Sequence, residues 1–218
     1  MAESALITAV EYQRKRPDRV NVYLDGAFEF AVAARVAEEA GLRRGLRLSA
    51  EEVRRLRDQD QAHRAYESAL GFLSYRPRSE AEVRQSLQRK GFLTEEVEAA
   101  VQRLQGAGLL DDAAFARFWV ENRDAFSPRG GRALRAELRQ KGLGDETIRA
   151  ALPAERDDEA GALALARQKA RQLRGLDRRI FQQRLGGHLA RRGYGYDTIR
   201  PVVEAVWAEL QTGDEEPD

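Results

Sequence analysis

An internal repeat limits what this chain can fold into more than any other feature. Three segments, LQRKGFLTEEVEAAV, LRQKGLGDETIRAAL and LARRGYGYDTIRPVV, align on Gly91, Gly142 and Gly193, each 51 residues from the next. Apolar residues keep the same period: Val83, Leu134 and Leu185; Leu87, Leu138 and Leu189; Phe92, Leu143 and Tyr194; Val97, Ile148 and Ile199; Val101, Leu152 and Val203. In each unit a pair four residues apart marks one face of a helix, and a later pair marks the face of a second. The glycine between them supplies the left-handed residue that ends the first helix. A further helix is expected ahead of each pair, over about Ala65–Leu73, Asp112–Arg123 and Asp158–Arg174. Thr94 and Asp145 are expected to cap the closing helices of the first two units, and Asp197 that of the third. Units of about 50 residues bury too little apolar surface to stand alone. The expected fold class is therefore mainly α: three tandem three-helix repeats in an elongated, curved array.

The N-terminal stretch has a different period. Leu6–Tyr12, Arg19–Leu24 and Phe28–Ala33 are short runs rich in Val, Tyr, Phe and Ile, and Asp25-Gly26 lies between two of them. That dipeptide suits the two positive φ values of a type I′ hairpin turn, so a small β-meander is expected. Ala34–Ala40 reads as a short helix ended by Gly41, and Ser49 with Glu52 as a capping box opening another at about Glu51. The expected division is a β-rich extension with its connecting helix over 1–61, then repeats over 62–110, 111–156 and 157–210, and an acidic, disordered tail over 211–218.

Composition narrows the function classes. Charged residues make up 33% of the 218 and aromatics 7%, as suits amphipathic helices with wide solvated faces. The absence of cysteine excludes disulfides and thiolate zinc sites and fits a cytoplasmic address. Neither a secretion signal nor a spanning segment is legible. Net charge is +1, but residues 211–218 hold four acids and no base, which leaves +5 for the rest. Between Arg167 and Arg192 nine bases face one acid, Asp177. Such a block faces phosphates or an acidic protein, or else is a solvated helix face.

Groups that would carry catalysis are scarce. His63 and His188 have no neighbouring nucleophile or carboxylate pattern, and Asp111-Asp112 and Asp157-Asp158 stand where acids cap helices and complement the helix dipole. Gly106-Ala107-Gly108 is a turn rather than a dinucleotide fingerprint. No cofactor is expected. Gly130-Gly131 and Gly186-Gly187 sit at or inside helical patterns, where glycine costs up to about 1 kcal/mol, and mark close packing or a surface that another backbone approaches. The binding candidates are cationic. Arg132, Arg135 and Arg139, with Arg129 upstream, form one stripe on the second helix of the middle unit. Lys141 and Arg192, just before the repeat glycines, also complement a helix C-terminus. Arg171, Arg174, Arg178, Arg179 and Arg191 complete the set.

The run ALGFLSYRPRSEAEVRQSLQRKGF, Ala69 to Phe92, followed by GLLDDAAFARFWVENR, Gly108 to Arg123, resembles the signature of the RecX family of bacterial recombination regulators. Together with the later repeats the resemblance covers about Ala62–Trp207, and the β-like extension resembles one found in some members. It implies a distant likeness of the repeats to helix-turn-helix units. It implies a non-enzymatic negative regulator that binds the helical groove of the RecA filament on DNA. Such a regulator limits filament growth, ATP hydrolysis, strand exchange and co-protease activity, and so acts in homologous recombination, DNA repair and the SOS response. The implied partners are the RecA filament and, more weakly or only through it, single- or double-stranded DNA; no membrane is involved. The alternative is a helical module acting directly on DNA. Pro153, Gly186-Gly187 and the acidic tail depart from the family pattern and bear on the contact geometry of the last two repeats.

Overall fold

A computed structural model describes residues 4–153 and 156–213 of the chain. These form four strands and ten α-helices, which divide into two compact units, one ending at Leu110 and the other beginning at Asp111. In the first unit β1 (Ser4–Tyr12), β2 (Arg19–Leu24) and β3 (Ala27–Ala33) make the expected antiparallel meander. Asp25 (φ 47°) and Gly26 (φ 86°) take the two positive values that join β2 to β3. After α1 (Ala34–Glu39), a three-residue strand β4 (Arg47–Ser49) pairs with the start of β1, giving the order β3-β2-β1-β4. Three residues are too few to show alternation in sequence. Ile7, Val20, Val22, Phe30 and Val32 bury one core of this unit.

Helix α2 (Ala50–Leu73) opens on the expected capping box: Glu52 N–H donates to Ser49 Oγ at 3.3 Å, and Ser49 N–H to the Glu52 carboxylate at 2.7 Å. The helix is continuous, so the boundary expected between 61 and 62 falls inside it. It serves two cores. Val53 and Leu56 pack under the sheet, whereas Ala65 and Ala69 pack in the first repeat. Leu56 and Ala65 are nine residues apart, about two and a half turns, so the two buried sides of α2 point in opposite directions.

The same helix closes the open edge of β3. Asp60 accepts the Ala33 N–H at 2.7 Å and the Arg19 guanidinium at 2.8 Å, while Arg19 also donates to the Ala31 carbonyl at 2.8 Å. Further along, Arg57 donates to the Glu29 carbonyl at 3.0 Å. Side chains thus satisfy backbone groups that an unprotected edge would offer to another strand.

The first repeat is completed by α3 (Glu80–Arg89) and α4 (Thr94–Gly106). Its glycine ends α3 as the sequence requires. Gly91 has φ 85°, its N–H donates to the Gln88 carbonyl at 2.9 Å, and Phe92 N–H donates to the Leu87 carbonyl at 3.3 Å. These are the two bonds of a Schellman cap, and they bring the residue after glycine onto the apolar residue four before it. The motif recurs at Gly142 (φ 82°) and Gly193 (φ 89°), with Leu143 N–H on Leu138 O and Tyr194 N–H on Leu189 O. That contact explains why the 51-residue register includes the position after the glycine.

The second unit contains α5 (Asp112–Phe126), α6 (Gly131–Gln140) and α7 (Asp145–Ala151), then α8 (Glu159–Ala170), α9 (Arg178–Arg191) and α10 (Tyr196–Gly213). Phe115, Leu134, Leu138, Ile148 and Leu152 bury one core; Leu165, Phe181, Leu185, Leu189, Tyr194 and Val203 bury the other. Asp111 caps α5 by accepting from Ala113 and Ala114 N–H, bonds that hold its carboxyl below the usual carboxylate range.

Five expectations are corrected. Thr94 and Asp145 are the first helical residues rather than caps; Leu93 and Gly144 take the cap position, and Ile199 N–H donates to the Gly195 carbonyl, with Asp197 inside the first turn. The cap falls two residues after the repeat glycine because the residue between is used by the Schellman contact. Distance from the glycine, not side-chain chemistry, sets it. Helix α8 ends at Ala170 instead of Arg174, because Gln172 and Leu173 N–H turn back to Lys169 and Ala170 and Leu173 is buried. The last helix runs to Gly213, into the segment read as a tail; residues 214–218 lie outside the described residues. As expected from Pro153, α7 is short.

The two glycine pairs separate. Gly130 N–H donates to the Arg192 carbonyl at 3.1 Å, and a Cβ on Gly130 would lie 2.3 Å from the Gly193 carbonyl oxygen. Gly130 therefore marks close packing between the second and third repeats. Gly187 has no such reason: a Cβ there meets only the end of the Arg191 side chain, at 3.4 Å. Gly187→Ala is expected to stabilise this unit by about 0.5–1 kcal/mol through helix propensity. A thermal melt would show this as a rise of roughly 1–4 °C, and a fall would show that the backbone there needs glycine.

Candidate functional site

Leu134 and Leu138 fix the buried side of α6, so Arg132, Arg135 and Arg139 share its outer stripe. Their guanidinium groups are not equally free. Arg139 pairs with Asp145 at 3.0 Å, and Arg135 donates to the Leu152 and Pro153 carbonyls at 3.4 and 3.2 Å, at the end of α7. Arg132 is exposed and, among the described residues, reaches only the Ala190 carbonyl, at 3.5 Å. Glu137 gathers Arg123, Arg129 and the Trp119 indole N–H, each within 2.9 Å, while Arg123 and the Lys141 ammonium both lie over the Trp119 ring. Arg129 and Lys141 are thus parts of a network that fixes α5 against α6. Arg192 is half-buried and donates to Ser127 Oγ at 3.5 Å.

The remaining candidates behave differently. Arg171 and Arg174 lie in the turn after α8, and Arg178 and Arg179 are the first two residues of α9. All four are exposed, and none has a hydrogen-bond or ion-pair partner among the described residues; the same holds for Arg191 and for Arg184, which lay in the sequence's basic block. Leu185 and Leu189 define the buried side of α9, with Arg184 and Arg191, seven residues apart, on one flank and Arg179 on the other. Asp177 caps the helix through Ile180 N–H at 3.0 Å, yet its first turn carries no acid. Two arginines thus occupy the positive end of a helix dipole, where acids are favoured by about 0.3–1 kcal/mol each. Burial, then the Arg192, Lys169 and Arg191 charges, hold the His188 imidazole below its ordinary value.

Not every cation in the second unit is left without a partner. Arg167 is paired with Glu209 at 2.7 Å, and Arg156 with Asp124 and Asp158. The signature run RPRSEAEV also has a structural account: Arg76 pairs with Glu82 at 2.9 Å, and Glu82 closes the capping box with Ser79 at the start of α3. Among the described residues no three His, Asp or Glu side chains gather into a metal-binding group. No helix among them is long and apolar enough to cross a membrane. What the α8–α9 corner offers chemically is a set of unpaired guanidinium forks, which fit carboxylates or phosphates.

The fold and this surface define a class: a tandem three-helix-repeat protein with an N-terminal β segment and a solvated cationic corner on its last repeat. The chain belongs to the RecX family of regulatory proteins. Residues 5–49 match the Regulatory protein RecX N-terminal domain, and residues 65–104, 111–152 and 157–203 match the first, second and third RecX three-helix domains. The chain is 32% identical to the Regulatory protein RecX of Halalkalibacterium halodurans, over 98% of this chain and 81% of that one. It is 35% identical to that of Levilactobacillus brevis, over 93% and 76%. A crystal structure of regulatory protein RecX superposes with a TM-score of 0.77 at 30% identity, covering 92% of this chain and 99% of that one. A RecX structure from Lactobacillus salivarius, at 23% identity and a TM-score of 0.61 over 71% of this chain, shares the fold.

Proposed function

We propose that this protein is a non-enzymatic negative regulator of RecA. It binds the groove of the RecA–DNA filament and limits filament growth, and with it ATP hydrolysis, strand exchange and co-protease activity. Membership of a family of regulatory proteins supports the reading, and the cytoplasm, where such filaments form on the chromosome, is the proposed site of action. One observation carries it: Arg171, Arg174, Arg178 and Arg179 have no hydrogen-bond or ion-pair partner among the described residues, and Arg178 and Arg179 occupy the dipole-positive start of α9, a placement that stability alone does not favour. Their target is acidic filament surface or phosphate exposed within it. Arg132 and Arg191 extend that surface, whereas Arg129, Arg135, Arg139, Lys141 and Arg192 act by holding the repeats that present it.

The test is RecA polymerisation on single-stranded DNA, together with DNA-stimulated ATP hydrolysis. Stoichiometric protein is expected to suppress both. A variant with Arg171, Arg174, Arg178 and Arg179 all changed to Ala should need at least about tenfold more protein for the same effect while melting normally, since solvated surface substitutions change stability by about 0.5 kcal/mol or less each. Unchanged filament growth with the wild-type chain would remove the reading. The direct-DNA alternative predicts binding to naked DNA at least as tight as to the filament.

A further inference from the structure

The phase change in α2 has a consequence at the junction of the β segment and the first repeat, within the first unit. In the first half of α2 the side carrying Val53, Leu56 and Asp60 is covered by the sheet. Beyond Asp60 the sheet ends, and the same side continues as His63, Arg64 and Glu67. These form one wall of a cleft of about 710 Å³. The six-residue loop between β1 and β2, with Arg16 at the rim, and Lys90 at the end of α3 complete it.

The pairing of the lining cations shows which have a structural task. Arg19 is held by Asp60 and Arg35 by Glu39. Among the described residues Arg64 and Lys90 hydrogen-bond only to neutral partners, Gln61 at 2.9 Å and Ser68 at 2.6 Å, and His63 has no hydrogen-bond partner, although Glu39 acts on it electrostatically. Arg16 is 3.9 Å from Asp18, with both side chains more than half exposed. Arg14 and Lys15, on the same loop, are exposed and also unpaired among the described residues. That loop is fixed: Arg19 N–H donates to the Arg16 carbonyl at 3.0 Å, Gln13 Nε2 to Asn21 at 2.8 Å, and Ala34 N–H to the Asp18 carbonyl at 2.7 Å. Against these cations Glu67 is the one lining acid with no hydrogen-bond or ion-pair partner among the described residues, although its charge acts on Arg35.

We propose that this cleft is a second binding site, separate from the α8–α9 corner, and that it takes the sugar–phosphate backbone of a nucleic acid. The cations come from three elements and converge on one trough, which suits a linear polyanion with regularly spaced single charges. Tight binding of a folded acidic protein is favoured by a central, desolvated anchor pocket. The apolar lining consists only of Ala33, Ala34 and the half-buried Phe92, so the cleft lacks one. The proposal does not depend on the filament reading, because it concerns residues of the first unit alone.

The test uses the full chain and fluorescent single-stranded and duplex oligonucleotides. To read the cleft apart from the basic corner, an environment-sensitive dye is attached to Cys introduced by Ser68→Cys, in a chain with no cysteine of its own. Either oligonucleotide should change the dye signal, and the form that binds more tightly identifies the backbone preferred. Without the dye, Arg64→Ala with Lys90→Ala should weaken binding about tenfold at low salt and lower the slope of log K against log salt by about 2. Glu67→Gln should strengthen binding. A silent dye at saturating oligonucleotide, with affinities of both variants unchanged, would overturn the site. So would a dye response to polyglutamate but not to oligonucleotide, which would assign the cleft to an acidic protein.

Discussion

Gly130→Ala is expected to destabilise the second unit by about 3 kcal/mol or more, at the upper end of what overpacking costs. The added methyl would lie 2.3 Å from the Gly193 carbonyl oxygen, 2.4 Å from its carbon and 2.5 Å from the Tyr194 nitrogen. All three atoms are backbone, and none can swing aside as a side chain does. The turn they belong to is itself fixed by the Schellman bonds that end α9 and by the Gly130 N–H to Arg192 carbonyl bond. Relief therefore requires the start of α6 to separate from the α9–α10 turn. Gly131→Ala is the matched control. Its Cβ meets side chains alone: the end of the Arg135 guanidinium at 3.1 Å, and Asp158 Oδ2 at an ordinary contact distance of 3.6 Å. Denaturant unfolding followed by a probe in this unit should show a large loss for Gly130→Ala and a change of about 0.5 kcal/mol or less for Gly131→Ala. Equal effects would mean that the contact between these repeats yields readily.

The second large effect is expected at Asp60. Its side chain is 7% exposed and that of Arg19 11%. Asp60→Ala leaves a buried guanidinium without its counter-charge and the Ala33 N–H without its acceptor, and losing one partner of a buried pair costs about 3–5 kcal/mol. The damage should concentrate in the β segment, where β3 loses its cover; hydrogen exchange at the Ala33 N–H would register it before the first-repeat core opens. Asp60→Asn keeps a carbonyl for the Ala33 N–H and should cost less than Asp60→Ala. A loss below about 1 kcal/mol for Asp60→Ala would show that water satisfies the edge of β3 without help from α2.

How far these features could be read in advance follows from how local their causes are. The Asp25-Gly26 turn, the Ser49 and Ser79 capping boxes and the Asp111 cap are each made by residues within a few positions of one another. The sequence pattern therefore carries them. The misplaced caps at Thr94, Asp145 and Asp197 also had a local cause, but the count from the repeat glycine decided them where side-chain preference had been followed. For the binding candidates, the charge block was visible whereas the partners were not. Arg135 and Arg139 differ from Arg178 and Arg179 only in what the fold brings within reach. Arg184 was visible in the block, but its freedom from any partner among the described residues appears only in three dimensions.

By itself the sequence determined the helical repeat, its glycine punctuation and the β-meander, because hydrogen bonds spanning three to five residues and a 51-residue apolar register need no distant partner to be recognised. Tertiary structure alone decided three other things. It set α2 against two cores on opposite sides, brought Gly130 onto Gly193, and sorted the arginines into those that hold the fold and those left to meet a partner. Each depends on contacts between residues tens of positions apart, as with Arg19 and Asp60 or Arg192 and Ser127. Spacing along the chain does not specify which of many like-charged side chains will find such a neighbour.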